Sequence, residues 1–296
     1  MKTIFPSLIM LVLVLGCDDA SRTDAVATAP ETTAAAEQME TVASLEVSNP
    51  SAFARPDTVI ALSLNELGVE NGPLQAWQGD EAQPTQLVDD DGDGALDRML
   101  FLTDLGAAAT HTYVIDAREA GEPVVPRAHA EVSIKEGGEW QDEVYVGGTF
   151  KNVKQLRNPP QYTDHSEYIR YEGPGIESDL VGYRVYLDWR NGFDIFGKKQ
   201  PGLVLQDVGQ DGYDSYHEMA DWGADILKVG QSLGAGGYGY WDGEKVVLVS
   251  DTAERSVAIT SDGPIHSSFV IDYPNWNTGS KTVDLEATLS MHAGSP

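Results

Sequence analysis

The chain is poor in cysteine: one residue, Cys17, in 296. That excludes an intrachain disulfide framework and a cysteine-ligated zinc site. Positive charge is scarce too. Lys and Arg number 19 against 47 Asp and Glu, a formal net charge of −28. Nucleic acid is therefore not an expected partner, because phosphate binding needs clustered Lys and Arg. Long apolar runs are missing: Ile9 to Leu15 is too short to span a bilayer stably. Helical periodicity is weak outside residues 216–229, and no internal repeat is visible. What remains, with 30 Gly and abundant Asp and aromatics, favours a β-rich fold over a helical bundle.

The first segment reads as an address. Lys2 precedes the apolar run, and Val14-Leu15-Gly16-Cys17 has the form of a bacterial lipobox, with the chain's only cysteine where lipidation requires it. Residues 1–16 are expected to be a signal peptide and Cys17 the lipidated end of a protein anchored at a membrane of the cell envelope, periplasmic or at the outer-membrane surface. Residues 17–55 lack Gly, lack aromatics before Phe53, and are rich in Ala, Thr, Glu and Asp. They are expected to be a flexible tether.

Beyond residue 56, short β-branched runs alternate with turn clusters. Strands are predicted at 58–64, 98–103, 112–115, 130–134, 181–188, 204–208, 245–249, 257–259, 267–273 and 282–291. Within 181–188, Tyr183, Val185 and Leu187 fall on one face and Arg184, Tyr186 and Asp188 on the other. The sum is an all-β, large antiparallel sandwich over residues 56–296. A subdomain boundary near 119–127 is suggested by Gly121, Pro123 and Pro126. The strand at 282–291 comes close to the end of the chain and leaves the sandwich looking truncated there.

Four constellations carry candidate chemistry. Asp89, Asp91, Asp93 and Asp97 around Gly94 match several positions of a calcium loop, though Leu100 stands where a bidentate Glu belongs. Ca²⁺ binding and a plain acidic turn both stay open. Tyr168, Arg170, Glu172, Glu177 and Asp179 surround Gly173-Pro174-Gly175 and lead into the strand with Arg184, giving either a tight charged turn or a polar pocket. His217, Asp221 and Asp225 would stack at i, i+4, i+8 if helical, as a base held by a carboxylate or as metal ligands. Tyr216 and Trp222 lie in the same stretch. The Gly-rich 230–240 segment lacks a following helix, so a phosphate loop is not expected. Nine of the 12 Tyr fall within 162–240, with Trp189 and Trp222, a density suited to stacking on sugar rings.

The segments 172–190, 194–199 and 216–223 together resemble a bacterial family known as domain of unknown function 4861, and the hairpin at 89–102 fits its N-terminal part. The resemblance implies a large sandwich of the galactose-mutarotase-like kind, usually longer at the C-terminus. It also implies secreted or lipid-anchored proteins encoded near polysaccharide-degrading enzymes. It brings no catalytic set with it.

The expected function is β-elimination on uronate-containing oligosaccharides, by a lyase or a dehydratase. A cation must neutralise the uronate carboxylate, a base must take the C5 proton, and an acid must protonate the leaving oxygen. Arg184, Arg170 and Lys198 are candidates for the first role. His217 oriented by Asp221 suits the second, and Tyr216 or Tyr168 the third. Glu177, Trp189 and Trp222 would complete the contacts to an oligosaccharide or polysaccharide ligand. A non-catalytic glycan-binding lipoprotein and a sugar mutarotase or epimerase are the alternatives.

Overall fold

In the computed structural model, described for residues 41–296 except 71, 119, 121, 213, 214 and 231, nearly every element is an antiparallel strand. Cys17, the signal segment and residues 17–40 of the expected tether lie outside the described residues. The tether expectation also needs a correction at its far end. Ala43–Ser48 is a strand paired with Thr110–Asp116, its residues alternately half-buried and exposed. Leu45 and Val47 supply that period of two, which the polar composition around them masks.

Two sandwiches follow one another along the chain. In the first, a four-stranded sheet runs in the order Ala43–Ser48, Thr110–Asp116, Gln75–Gln78, Glu81–Ala82. A three-stranded sheet, Arg55–Ser63, Arg98–Leu105, Thr85–Val88, belongs with it. Leu64, Ala76, Met99, Phe101, Tyr113 and Ile115 form the core of this part. Its acidic loop, residues 89–97, closes the hairpin in which Val88 pairs with Arg98.

The second part is larger. A five-stranded sheet has the order Gly223–Asp225, Phe193–Lys198, Val181–Val185, Gly175–Ser178, Ala128–Glu131. It packs on a four-stranded sheet ordered Gln155–Arg157, Ser256–Asp262, His266–Asn277, Thr282–His292. Ala130, Ile176 and Val185 from the first meet Val257, Phe269, Ile271, Tyr273 and Met291 from the second. The two parts are fastened by Gln86, whose Oε1 accepts from the backbone of Ile265 and His266, and by Arg127, which bridges Asp57 and Asp179. Among the described residues no helix is long and apolar enough to cross a membrane.

Strand alternation decides what the five-stranded sheet shows on its other face. Glu131, Gly175, Arg184 and Asp194 are register partners in one row across four strands. With Ala130, Ile176 and Val185 turned into the core, their neighbours Glu131, Glu177 and Arg184 must point outward. The outer face therefore carries charge, and loops fold over it.

One predicted strand does not form, and neither does the helix that the periodicity at 216–229 allowed. Residues 204–208 hold a 3-10 turn, Leu205–Asp207, in place of a strand. The Glu177 carboxylate accepts from the backbone N–H of Val204 and Leu205, and Arg170 donates to the carbonyls of Leu205, Gln206 and Val208. These buried charged partners override the β propensity of the two valines. The helix at 216–229 is likewise replaced, by a 3-10 turn at Ser215–His217 and the strand Gly223–Asp225. Gly223 sits at φ +141°, and a Cβ there would lie 1.8 Å from the Gly197 carbonyl oxygen. Only an extended glycine fits against that neighbouring strand.

Candidate active site

The outer face carries two charged clusters joined by one tyrosine. Tyr171 occupies a left-handed conformation, φ 38° and ψ 34°. Its hydroxyl donates to Glu131 Oε1 at 2.5 Å, and its carbonyl accepts from Arg184 Nη1 at 3.2 Å. Gly175 makes room: a Cβ there would lie 2.5 Å from the Tyr171 hydroxyl.

The first cluster is closed. Arg170, 1% exposed, pairs with Glu131 and donates to three carbonyls. His129 bridges Glu131 Oε2 at 3.2 Å and Asp262 Oδ1 at 2.8 Å. Burial opposes the His129 charge, but the two carboxylates outweigh it and raise its pKa to about 10. Glu131 is pulled down to about 2 against its own burial by His129, Arg170 and Tyr171. Each charged group here is paired, although the buried Arg170 Nε–H has no acceptor among the described residues.

The second cluster opens into a cleft of about 630 Å³, bordered by His165, Glu172, Tyr186, Arg190, His217 and Lys228, with Asp194 and Asp225 at its base. Arg184 is fully buried beneath them. Its Nε donates to Asp194 Oδ2 at 2.7 Å, and its Nη2 bonds Asp194 and lies 3.3 Å from Asp225 Oδ2. Its guanidinium lies over the rings of Tyr186 and Tyr216, 4.5 and 4.8 Å from their centroids, and donates to both hydroxyls. Burial works against its charge, yet these neighbours raise its pKa and keep it a cation. Burial likewise raises Tyr186 and Tyr216, so both stay protonated phenols.

Two groups in the cleft suit proton transfer. His217 is partly open, its side chain 32% exposed, and its Nδ1 lies 3.2 Å from Asp225 Oδ2. Asp225 is pushed up to about 6, first by burial and then by the charge of Asp194 beside it. Arg190 closes the opposite wall. It pairs with Asp188, donates to Glu172 Oε1 at 2.8 Å and stacks 4.0 Å over Tyr186. The backbone around this cleft is unusual: His165, Tyr171, Glu172 and Asn191 all have positive φ. Left-handed non-glycine residues cost on the order of 1–3 kcal/mol each and persist where surrounding structure holds them, often at functional sites. Gly173 contributes by close approach, since a Cβ there would lie 1.7 Å from the Val185 carbonyl oxygen.

The sequence-based candidates are thus sorted. His217 lines the cleft, and Tyr216 and Arg184 lie under it as buried supports, so Arg184 does not present a free guanidinium to a ligand. Arg170 belongs to the closed cluster. Asp221 is exposed and is not the orienting carboxylate; with the helix absent, Asp225 takes that place. Glu177 and Lys198 are a buried pair within the sheet, with Lys198 also donating to the carbonyls of Ser178 and Gly202 at 2.6 Å. Trp222 packs edge-on against Phe196, and Tyr168 packs with Trp140 and Tyr145. Trp189 is 37% exposed, next to the cleft-lining Arg190, and bonds Asp164. Asp194 is absent from the sequence-based set. Its one signal is an acid among the apolar residues Phe193, Ile195 and Phe196.

In the acidic loop, oxygens of Asp89, Asp91 and Asp97 come within 4.8 Å of one another, a set able to hold a hard cation. Asp93 is not one of them; its Oδ1 accepts from the Ala95 N–H at 2.7 Å. The Asp89 oxygens accept from the N–H groups of Gly92 and Gly94, as a turn requires.

The family model for the domain of unknown function 4861 matches residues 47–296. The chain belongs to this family. A curated relative, "Uncharacterized protein P7" of Formosa agariphila, is 24% identical over 219 residues, which are 71% of this chain and 49% of that protein. The chain therefore spans about half the length of this relative. No solved structure matches.

Proposed function

We propose that this member of the family is a carbohydrate-active acid–base enzyme whose proton-transferring group is His217, acting by β-elimination on uronate-containing oligosaccharides as a lyase or dehydratase. The observation that carries the reading is the cleft itself. A half-open imidazole stands on a carboxyl group that burial has made weakly acidic, over a rigid base of paired charges. Binding alone needs no such group, whereas abstraction of a C5 proton does. Arg190 and Lys228 are the cations that line the cleft and would face the uronate carboxylate. Trp189, partly exposed beside it, is the aromatic available for stacking on a sugar.

One observation favours a second reading, a mutarotase or epimerase acting on a neutral sugar. Arg184 and Arg190 are both already matched to carboxylates, so the cleft has little positive charge to spare. Defined oligosaccharides separate the readings. Loss of water or chain cleavage by mass spectrometry marks elimination, and anomer or epimer exchange by NMR marks isomerisation. No change in either would leave a glycan-binding protein and refute the enzyme.

The lipobox at 14–17 supports a lipid-anchored envelope protein, with Cys17 as the acylated residue. Cys17→Ser should then shift the protein to the soluble fraction or leave it unprocessed. Normal cleavage with membrane retention would refute the anchor.

A further inference from the structure

We infer that the cleft selects sugars carrying a single carboxylate: Lys228 receives that carboxylate, and Glu218 turns away a second one. The inference deepens the proposed function and rests on its reading of the cleft as a carbohydrate site. Among the described residues that line the cleft, Glu172, Asp194, Glu218 and Asp225 carry carboxyl groups and Arg190 and Lys228 are cations, with Arg184 buried beneath. Most of these charges are already matched. Arg184 lies against Glu172, Asp194 and Asp225, and Arg190 against Glu172 and Asp188. The Arg190 guanidinium is also stacked over Tyr186. What remains is one cation and one acid. The side chains of Lys228 and Glu218, both exposed, make no ion pair with each other or with any other described residue.

Their places in the chain put both beside the proton-transferring group. Glu218 follows His217 directly, and its N–H donates to the Ser215 carbonyl. Lys228 stands three residues after Asp225, the residue that His217 contacts. The backbone is fixed on both sides of Lys228. The Leu227 N–H donates to Asp225 Oδ1 at 3.0 Å. Val229 is buried, and its carbonyl accepts from the N–H and the hydroxyl of Ser232. A held backbone with an exposed ammonium head suits capture of an anion. The chemistry of a uronate asks for this arrangement. Its carboxylate is bonded to C5, the carbon that loses the proton, so cation and base must stand within one sugar ring of each other. A second carboxylate finds no cation to receive it: Arg190 is committed to Asp188 and Glu172, and Glu218 repels it. The excess of acid over the whole chain, 47 Asp and Glu against 19 Lys and Arg, adds repulsion toward a run of consecutive uronates.

Binding of simple glycosides tests the selectivity without turnover. The probes are the methyl glycosides of glucuronate, galacturonate and mannuronate, each beside its neutral counterpart of glucose, galactose or mannose, titrated by NMR at pH 7 in low salt. At least one acid should bind the wild type about tenfold more tightly than its neutral counterpart, the scale of a charge-assisted hydrogen bond, and the margin should shrink as salt is added. Lys228→Met should remove that margin with Tm unchanged, and Lys228→Arg should keep most of it. Two disaccharides of the preferred sugar test Glu218: the uronate joined to its neutral counterpart, and the diuronate. The wild type should bind the mixed disaccharide more tightly, and Glu218→Gln should narrow the gap. A wild type that binds no acid better than its neutral counterpart, a margin that survives Lys228→Met, a wild type that prefers the diuronate, or a gap unchanged in Glu218→Gln overturns the inference. These outcomes are separate from the fate of the acid–base reading. A Lys228-dependent preference in a protein that turns over no sugar refutes the enzyme and keeps the selectivity. Turnover that depends on His217 but is indifferent to Lys228→Met refutes the selectivity and keeps the enzyme.

Discussion

Arg170 and Arg184 lie under the loops of one sheet face, each fully buried, each set against carboxylates and a nearby histidine, and both touch Tyr171. Each cluster leaves one buried polar atom without a partner, Arg170 Nε in one and Asp194 Oδ1 in the other, but the balance of charge around the two arginines differs. Around Arg170 the charges close: Glu131 is pulled down, His129 is raised, and Asp262 caps the far nitrogen. Around Arg184 they do not. Three carboxylates, Glu172, Asp194 and Asp225, crowd one guanidinium, one carboxylate oxygen is left without a donor, and a cleft opens beside them. Closed ion networks hold structure together, while unresolved charge beside a cavity is what acid–base chemistry uses.

The comparison can be broken most severely at the arginines. Arg170→Met removes the guanidinium from Glu131, which keeps His129 and Tyr171, and leaves three carbonyls without their donor; it should cost about 3–5 kcal/mol, the scale for breaking a buried pair. Arg184→Met should cost a similar amount at pH 7 but distinctly less at pH 5, because its three carboxylates can then take protons. Denaturant unfolding at the two pH values checks this, and equal pH dependence in both variants would erase the distinction. His129→Gln comes next. The raised pKa of His129 contributes stability that is full below about pH 6.5 and is lost as pH rises through about 10. After allowance for partial solvent screening, about 1–3 kcal/mol should disappear at pH 7. The variant should lose the wild type's decline between pH 8 and 10, and an unchanged decline would place its cause elsewhere.

Asp225 should behave in a related way at lower pH. Its raised pKa means that its contribution is present below about pH 4 and lost as pH rises through about 6, where ionisation next to Asp194 becomes unfavourable. Asp225→Asn should flatten the stability curve over that window. The smallest effect is expected far from both clusters, at the acidic loop. If Asp89, Asp91 and Asp97 hold Ca²⁺, a chelator should lower Tm by a few degrees and added Ca²⁺ restore it. A melting curve indifferent to both leaves only a turn.

Much of the architecture is legible in the sequence, because strands announce themselves locally. The alternation at 181–188 does place Val185 and Leu187 in the core and Arg184 and Tyr186 on the charged face. The site is harder to read, because its partners are chosen across strands. Arg184 faces Asp194 through sheet register, ten residues away, and Asp225 through a further strand. The spacing of His217, Asp221 and Asp225 imitates a helical face, and only the close approach of Gly223 to Gly197 rules the helix out. The valines at 204 and 208 read as a strand until Glu177 and Arg170 claim the backbone between them. Buried charge in some cases and a close backbone approach in the other, neither of which local pattern reveals, decided the outcome.

The central claim is that the open cluster works as an acid–base site through His217. Its most direct measurement is turnover of a uronate-containing oligosaccharide by the wild type and by His217→Ala and His217→Gln, followed by mass spectrometry, with melting curves alongside. The account predicts that both variants fold with near-native Tm and lose at least about a hundredfold in rate, the usual scale for a general base. Near-native turnover in a folded His217→Ala, or a His217→Ala protein that no longer folds, would contradict it.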